Sequence, residues 1–150
     1  MVYRTMYLDS YAGTIVCRYN FIAMNFTGKG CDVAPYIDSY ETIKEVQIVQ
    51  ASTAYNNHET GEITIIFLNK AICMGKIMYH TLVNLNQLSA YGMIVQDNPF
   101  SEALFFIATE NHDFMIPFSS KGTILGVTTR TPTEKELQKC AHVTCSSAHD

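Results

Sequence analysis

Lys44-Glu45-Val46-Gln47-Ile48-Val49-Gln50-Ala51, followed by Asn56-Asn57-His58-Glu59-Thr60-Gly61 and then Glu62-Ile63-Thr64-Ile65-Ile66-Phe67-Leu68, sets the architecture of this chain. The first segment alternates polar with apolar residues, the period of a strand with one wet face. The second is rich in Asn and ends in Gly, residues that turn a chain because they hydrogen-bond their own backbone or accept a left-handed conformation. The third returns as a β-branched run that suits a pleated, half-buried surface. Together they predict a long hairpin with a polar tip.

Short runs of the same kind recur on either side. Residues 2–7 read as an extended segment that enters the turn Leu8-Asp9-Ser10-Tyr11-Ala12, and 14–22 read as the strand leaving it. Thr27-Gly28-Lys29-Gly30 reads as a loop, and Ala34-Pro35-Tyr36 as another irregular stretch. Further strands are expected over 93–95, 103–108, 114–116 and 123–127. Helix is scarce. Asn84 is placed to cap one, with Gln87 at the reciprocal capping-box position, Leu85 and Leu88 facing inward and Gly92 beyond the end. Thr131-Pro132-Thr133-Glu134 signals a second, with Thr131 as N-cap, Pro132 at the first helical position and an end near Cys140. The pattern is that of an all-β, barrel-like domain with one or two short helices.

Composition narrows the function classes. At 150 residues and 47% apolar content the chain is long enough for one domain with a real core, and 16% charged residues is too few for a disordered polyelectrolyte. The net charge is -4 and the ten basic residues are scattered, so no surface for tracking phosphates is expected, nor direct nucleic-acid binding. Met1 leads into a Tyr-rich strand rather than a basic and then apolar leader, and the longest apolar run, 63–68, is strand-sized; neither a signal peptide nor a membrane span is expected. Five cysteines, an odd number, point to reduced thiols in a cytosol-like compartment.

Several residues carry reactive chemistry without forming a recognisable site. Cys140, His142, Cys145 and His149 are four zinc-type donors in a short C-terminal stretch, but their spacing fits no common finger, and a reduced, mobile tail is the expectation. His58 falls in the hairpin turn, where a solvated imidazole is expected. His80 and His112 have no evident nucleophile beside them. Gly28-x-Gly30 lacks the rest of a phosphate loop and reads as a turn.

The order of the pieces resembles the protease region of copia-type retrotransposon polyproteins, a branch of the retropepsin-like aspartic proteases. In that group a strand ends in an Asp-Ser-x-Ala turn, here Asp9-Ser10-Tyr11-Ala12. An alternating hairpin follows, then a segment of the type apolar-x-x-Asn-Leu before a Gly, matched by 71–92 with Asn84-Leu85 and Gly92. Cys31-Asp32-Val33-Ala34-Pro35, Ile116-Pro117-Phe118, Gly122-Thr123 and a Thr-Pro-Thr-x-x-Glu-Leu start over 131–137 also resemble members of this group, in the same order. The resemblance covers nearly the whole chain. Two departures fall in the turn: Tyr11 stands where the usual pattern has Gly, and Gly13 where the more similar elements have Asp.

The resemblance implies an all-β, retropepsin-like closed β-barrel over 1–130 with a C-terminal helix and tail over 131–150. It implies an aspartic-type endopeptidase that works as a homodimer, each chain giving one Asp9 to a catalytic dyad, and that cleaves extended segments of its own polyprotein. Ser10, Tyr11 and Ala12 would shape the active-site turn, and Ala54, Tyr55, Asn56, Asn57, His58 and Gly61 would form the flap over the substrate. No cofactor or metal is implied. The expected setting is the cytoplasm, within virus-like particles, with no membrane and no nucleic acid bound directly. The alternative, favoured by Tyr11 and Gly13, is a catalytically inactive module that keeps the fold and serves in dimerisation or peptide binding. A second is an unrelated small β-barrel in which Asp9 has no special role.

Overall fold

In a computed structural model of the chain, residues 3–8, 15–17, 21–33, 43–73, 81–96, 106–121 and 124–146 are described. They form twelve strands, β1 (Tyr3–Leu8), β2 (Ile15–Cys17), β3 (Ile22–Val33), β4 (Ile43–Asn56), β5 (Ile63–Cys73), β6 (Thr81–Val83), β7 (Ile94–Gln96), β8 (Phe106–Ala108), β9 (Met115–Pro117), β10 (Ser119–Lys121), β11 (Ile124–Arg130) and β12 (Ala141–Thr144), with two short helices, α1 (Leu85–Tyr91) and α2 (Glu134–Lys139). The expected all-β architecture is present.

The hairpin read from the sequence is β4–β5, paired from Ile48↔Ile72 to Asn56↔Ile63. Around it β11, β1, β6, β2, β5 and β4 close into a six-strand barrel, sealed where Arg130 of β11 pairs with Ala54 of β4. In one direction round the ring, Tyr7, Leu82, Val16, Ile72 and Ile48 share a row. In the other, Tyr3 is level with Arg130 and hence with Ala54. The two routes differ by about ten residues, the stagger that closure imposes on strongly tilted strands. Met6, Ile15, Val49, Ala51, Ile66 and Leu68 belong to the buried core, which continues through Leu85 and Leu88 of α1 to Ile107 and Ile116 of a separate three-stranded sheet, β7–β8–β9.

Three parts of the chain depart from the sequence reading. Ile22 opens β3 instead of ending the strand that leaves the turn, and Thr27-Gly28-Lys29-Gly30 lies inside β3 instead of in a loop. The register steps from Phe26↔Val49 to Gly30↔Gln47, so these residues are a bulge, and Gly28 takes φ 78° there. The second helix is capped by Thr133, not Thr131. Thr133 and Glu136 make both bonds of a capping box, which leaves the buried Pro132 ahead of the helix. The tail expected to be mobile is folded as far as Ser146. β12 pairs in parallel with β5 from Ala141↔Thr64 to Thr144↔Phe67, and Ser146 and Asn69 exchange three hydrogen bonds of 2.8–2.9 Å.

β1 and β11 approach closely at Gly126, the partner of Tyr7. A Cβ there would sit 2.8 Å from Thr5 Cγ2 and 3.3 Å from the Met6 carbonyl oxygen. Gly126→Ala is therefore expected to push the two barrel strands apart and to cost about 1–3 kcal/mol, the usual range for overpacking. Urea unfolding checks this, and an unchanged midpoint would show that the strands part without strain.

Candidate functional site

The segment singled out by the sequence connects β1 to β2. These strands are not neighbours: β6 lies between them, parallel to β1 with Leu8↔Val83 and antiparallel to β2 with Val16↔Leu82. Leu8, Val83 and Ile15 therefore fall in one row, so the end of β1 and the start of β2 lie two strand spacings, about 10 Å, apart. Asp9, Ser10, Tyr11 and Ala12 themselves lie outside the described residues, so only their two attachment points are on view. Both are firm. Leu8 is paired on either side, to Val83 and to Leu125, and Ile15 is wholly buried.

α1 starts directly behind this row. The Asn84 side chain accepts a hydrogen bond from the Asn86 N–H at 2.8 Å, and Gly92 ends the helix at φ 102°, both as the sequence implied. Gln87 acts differently from expectation. Its Oε1 accepts from the Ile15 backbone N–H at 3.0 Å, which ties the helix to the first residue of β2.

The residues expected to form the flap divide into two groups. Ala54 and Tyr55 are buried in the barrel wall, and the Tyr55 ring meets Phe114 edge-on at 6.3 Å. Burial, and secondarily Glu59, pushes the Tyr55 hydroxyl up from its ordinary value. Asn56 Oδ1 accepts from Arg130 Nη2 at 3.2 Å. Asn57, His58 and Gly61 form the turn: Asn57 Oδ1 accepts from the N–H groups of Glu59 and Thr60, its carbonyl accepts from Gly61, and Gly61 has φ 76°. His58 is exposed. This tip is closed by its own bonds and fastened at its base.

A second hairpin is built differently. Among the described residues, β4 pairs with β5 from Ile48 onward and with β3 from Ser52 through Gln47 and Val46 to Ile43. Among the described residues, the outer half of β3–β4 is thus paired as a two-stranded ribbon, with the Gly28 bulge near its root and Gly28, Lys29, Gly30 and Gln47 exposed. A Gly-containing bulge gives such a ribbon a place to bend.

β12 fixes the surroundings of Cys140, His142 and Cys145, whereas His149 lies outside the described residues. Burial pushes the Cys145 thiol up to about 12, which makes a thiolate costly at neutral pH. His142 Nε2 lies 2.8 Å from the Leu137 carbonyl and its ring packs on Phe67. Cys140 caps the C-terminal end of α2. Among the described residues no three His, Cys, Asp or Glu side chains converge as a metal site, and no helix is long and apolar enough to cross a membrane. No protein-family model, no curated protein and no solved structure matches the chain.

Sequence reasoning missed a fixed ion pair. Arg130 Nη1 and Nη2 meet Glu136 Oε1 and Oε2 at 2.6 and 2.5 Å. The visible signal was Thr133-x-x-Glu136, a capping-box spacing that Thr131 and Glu134 share.

Proposed function

We propose that the chain is a retropepsin-like aspartic endopeptidase of the copia type, active as a homodimer, that cleaves extended segments of its own polyprotein in the cytoplasm, within particles. The observation that carries this reading is the row Leu8–Val83–Ile15. The two ends of the segment that carries the Asp-Ser-x-Ala sequence belong to β1 and β2, both bonded to β6 in a closed barrel, and such anchoring supports a role in presenting a carboxylate.

Two such turns facing each other across a two-fold axis bring like charges together, and the pair shares one proton because both carboxyls cannot ionise cheaply. The ionised Asp9 takes a proton from water as the water oxygen bonds to the scissile carbonyl carbon. The protonated Asp9 gives its proton to the carbonyl oxygen. Collapse of the resulting gem-diol breaks the C–N bond, with the amine nitrogen taking up a proton and one carboxyl of the pair left protonated. Ser10 braces the turn in this reading, and Ala12 keeps it small.

The cover over the substrate is assigned here to the outer β3–β4 ribbon rather than to the 54–61 tip. A cover has to swing, and Ala54 to Asn57 are fixed to Arg130, Phe114 and their own turn. Hydrogen exchange on an Asp9→Asn chain, which holds peptide uncut, separates the two. Protection on peptide addition is expected at 29–33 and 43–47; protection confined to 57–61 returns the role to the tip.

Tyr11 favours the rival reading of an inactive peptide-binding module, since a large side chain replaces Gly beside the catalytic carboxylate. A peptide-cleavage assay decides between them. The protease reading expects cleavage by the wild-type chain, none by Asp9→Asn, and the same melting temperature for both. Peptide binding without cleavage supports the rival, and equal cleavage by both chains removes any role for Asp9.

A further inference from the structure

We propose that Gln87 is a positioning residue for the Asp9 turn, holding the start of β2 so that the carboxylate is presented in one orientation; this inference rests on the protease reading above. The segment 9–14 has two attachment points. Leu8 is fixed by its strand partners on both sides, Val83 and Leu125. Ile15 is the first residue of a strand only three residues long, and a strand so short has few bonds to hold its register. Its backbone N–H is shut away from water, because Ile15 is 0% exposed, and a buried N–H needs an acceptor. Gln87 Oε1 supplies that acceptor at 3.0 Å across 72 residues of sequence.

The link is directional. Asn84 sets the first turn of α1, and Leu85 and Leu88 anchor the helix in the core, so Gln87 projects from a fixed platform. The same row carries Val83, the residue just before the cap, between Leu8 and Ile15. One side of the turn therefore depends on the strand ladder and the other on a side chain from the helix behind it. Without the Gln87 acceptor, Ile15 keeps its partner Ala71 but loses the bond that fixes where the turn ends. A displacement of about an ångström at a reacting group is enough to cost up to roughly a hundredfold in rate.

The test compares Gln87→Met, which keeps length and loses the acceptor, with Gln87→Glu, which keeps an acceptor oxygen. Peptide cleavage by Gln87→Met is expected to fall by roughly ten- to a hundredfold in kcat, with KM within about twofold, because the loss acts on alignment and not on substrate binding. Gln87→Glu is expected to restore most of kcat, because it keeps an oxygen that can accept from the Ile15 N–H. A merely structural role predicts a lower melting temperature with kcat unchanged well below it. Wild-type kcat in Gln87→Met, or equal damage in both variants, overturns the assignment. Asp9→Asn run in parallel keeps the two levels apart. If it still cleaves, the protease reading and this inference fall together; if it is inert while Gln87→Met keeps full kcat, only the inference falls. For a chain that cuts nothing, hydrogen exchange gives the readout. Gln87→Met must then speed exchange at the Ile15 amide with the β4–β5 amides unchanged, and equal exchange at Ile15 overturns the proposal.

Discussion

Arg130→Met is expected to lower the unfolding free energy by about 3 kcal/mol, near the low end of what breaking one half of a buried ion pair costs. The Arg130 side chain is 3% exposed and that of Glu136 13%, so removing the guanidinium strands a carboxylate that water barely reaches. Arg130 also joins three parts of the fold. Its backbone pairs with Ala54 where the barrel closes and its carbonyl accepts from Thr53 Oγ1 at 3.0 Å. Its side chain reaches Asn56 at the base of the hairpin tip and Glu136 in α2. Replacing both partners, Arg130→Met with Glu136→Leu, is expected to recover part of the loss, because no buried charge is then left alone although the cap bond from the Thr133 N–H to Glu136 is lost. Urea unfolding of the two variants checks both statements. A double variant as unstable as the single one would mean that the carboxylate is not the source of the cost.

The same pair fixes a pH signature. Hydrogen bonds from Arg130, against the opposing effect of burial and with further help from Thr133, lower Glu136 from 4.5 to about 2. A carboxyl with a depressed folded-state value contributes stability that is fully present above its unfolded value, about 4.5, and is lost as the pH falls through about 2. Arg130→Met removes the cause of the depression. The stability gap between wild type and variant is therefore expected to be widest above pH 4.5 and to narrow toward pH 2. A gap that stays constant across this window would assign the effect of Arg130 to packing alone.

These two side chains mark how far the sequence could be read. Period-two alternation over 44–51 announced β4, the Asn-rich turn announced the hairpin, and the β-branched run over 63–68 announced β5. Asn84 and Gly92 announced α1 because caps are local chemistry. The cap of α2 was ambiguous, since Thr131 and Thr133 each have Glu three residues on; Arg130, fixed by barrel closure, faces Glu136 and selects the second. β6 was invisible because three residues carry no period, and its parallel insertion between β1 and β2 is a long-range fact. β12 was hidden behind Cys and His residues that invited a metal reading, whereas its place comes from the edge of β5 left open beyond β2. Of the candidate site, the turn at Asp9 was legible as a motif. Its support, from β6 and Gln87, was not, because neither leaves a mark near residue 9.

If the chain is the dimeric protease proposed above, the largest expected effect on activity belongs to Asp9, and its form follows from one carboxylate per chain. In an Asp9→Asn homodimer no carboxylate is available to take the proton from water, and cleavage is expected to fall by several orders of magnitude, on the order of 10³ or more, as for loss of an essential catalytic group. Mixing carries more information than the loss itself. If wild-type and Asp9→Asn chains pair at random in equal amounts, about a quarter of the dimers hold two Asp9 residues, and only those share a proton between two carboxyls. Total cleavage is then expected at about a quarter of that from the same amount of wild-type protein, whereas a monomeric enzyme would retain about half. Below the concentration at which chains pair, specific activity is expected to drop with dilution, and a higher concentration of peptide substrate, which itself spans both halves, should restore it by mass action. The pH–rate profile of the wild-type dimer is expected to be bell-shaped, one limb for ionising the first carboxyl and one for losing the shared proton, and both values belong to the pair rather than to either residue. A mixture that keeps half the activity, together with no dependence on dilution, would place all the catalytic groups in one chain and remove the dyad from the mechanism.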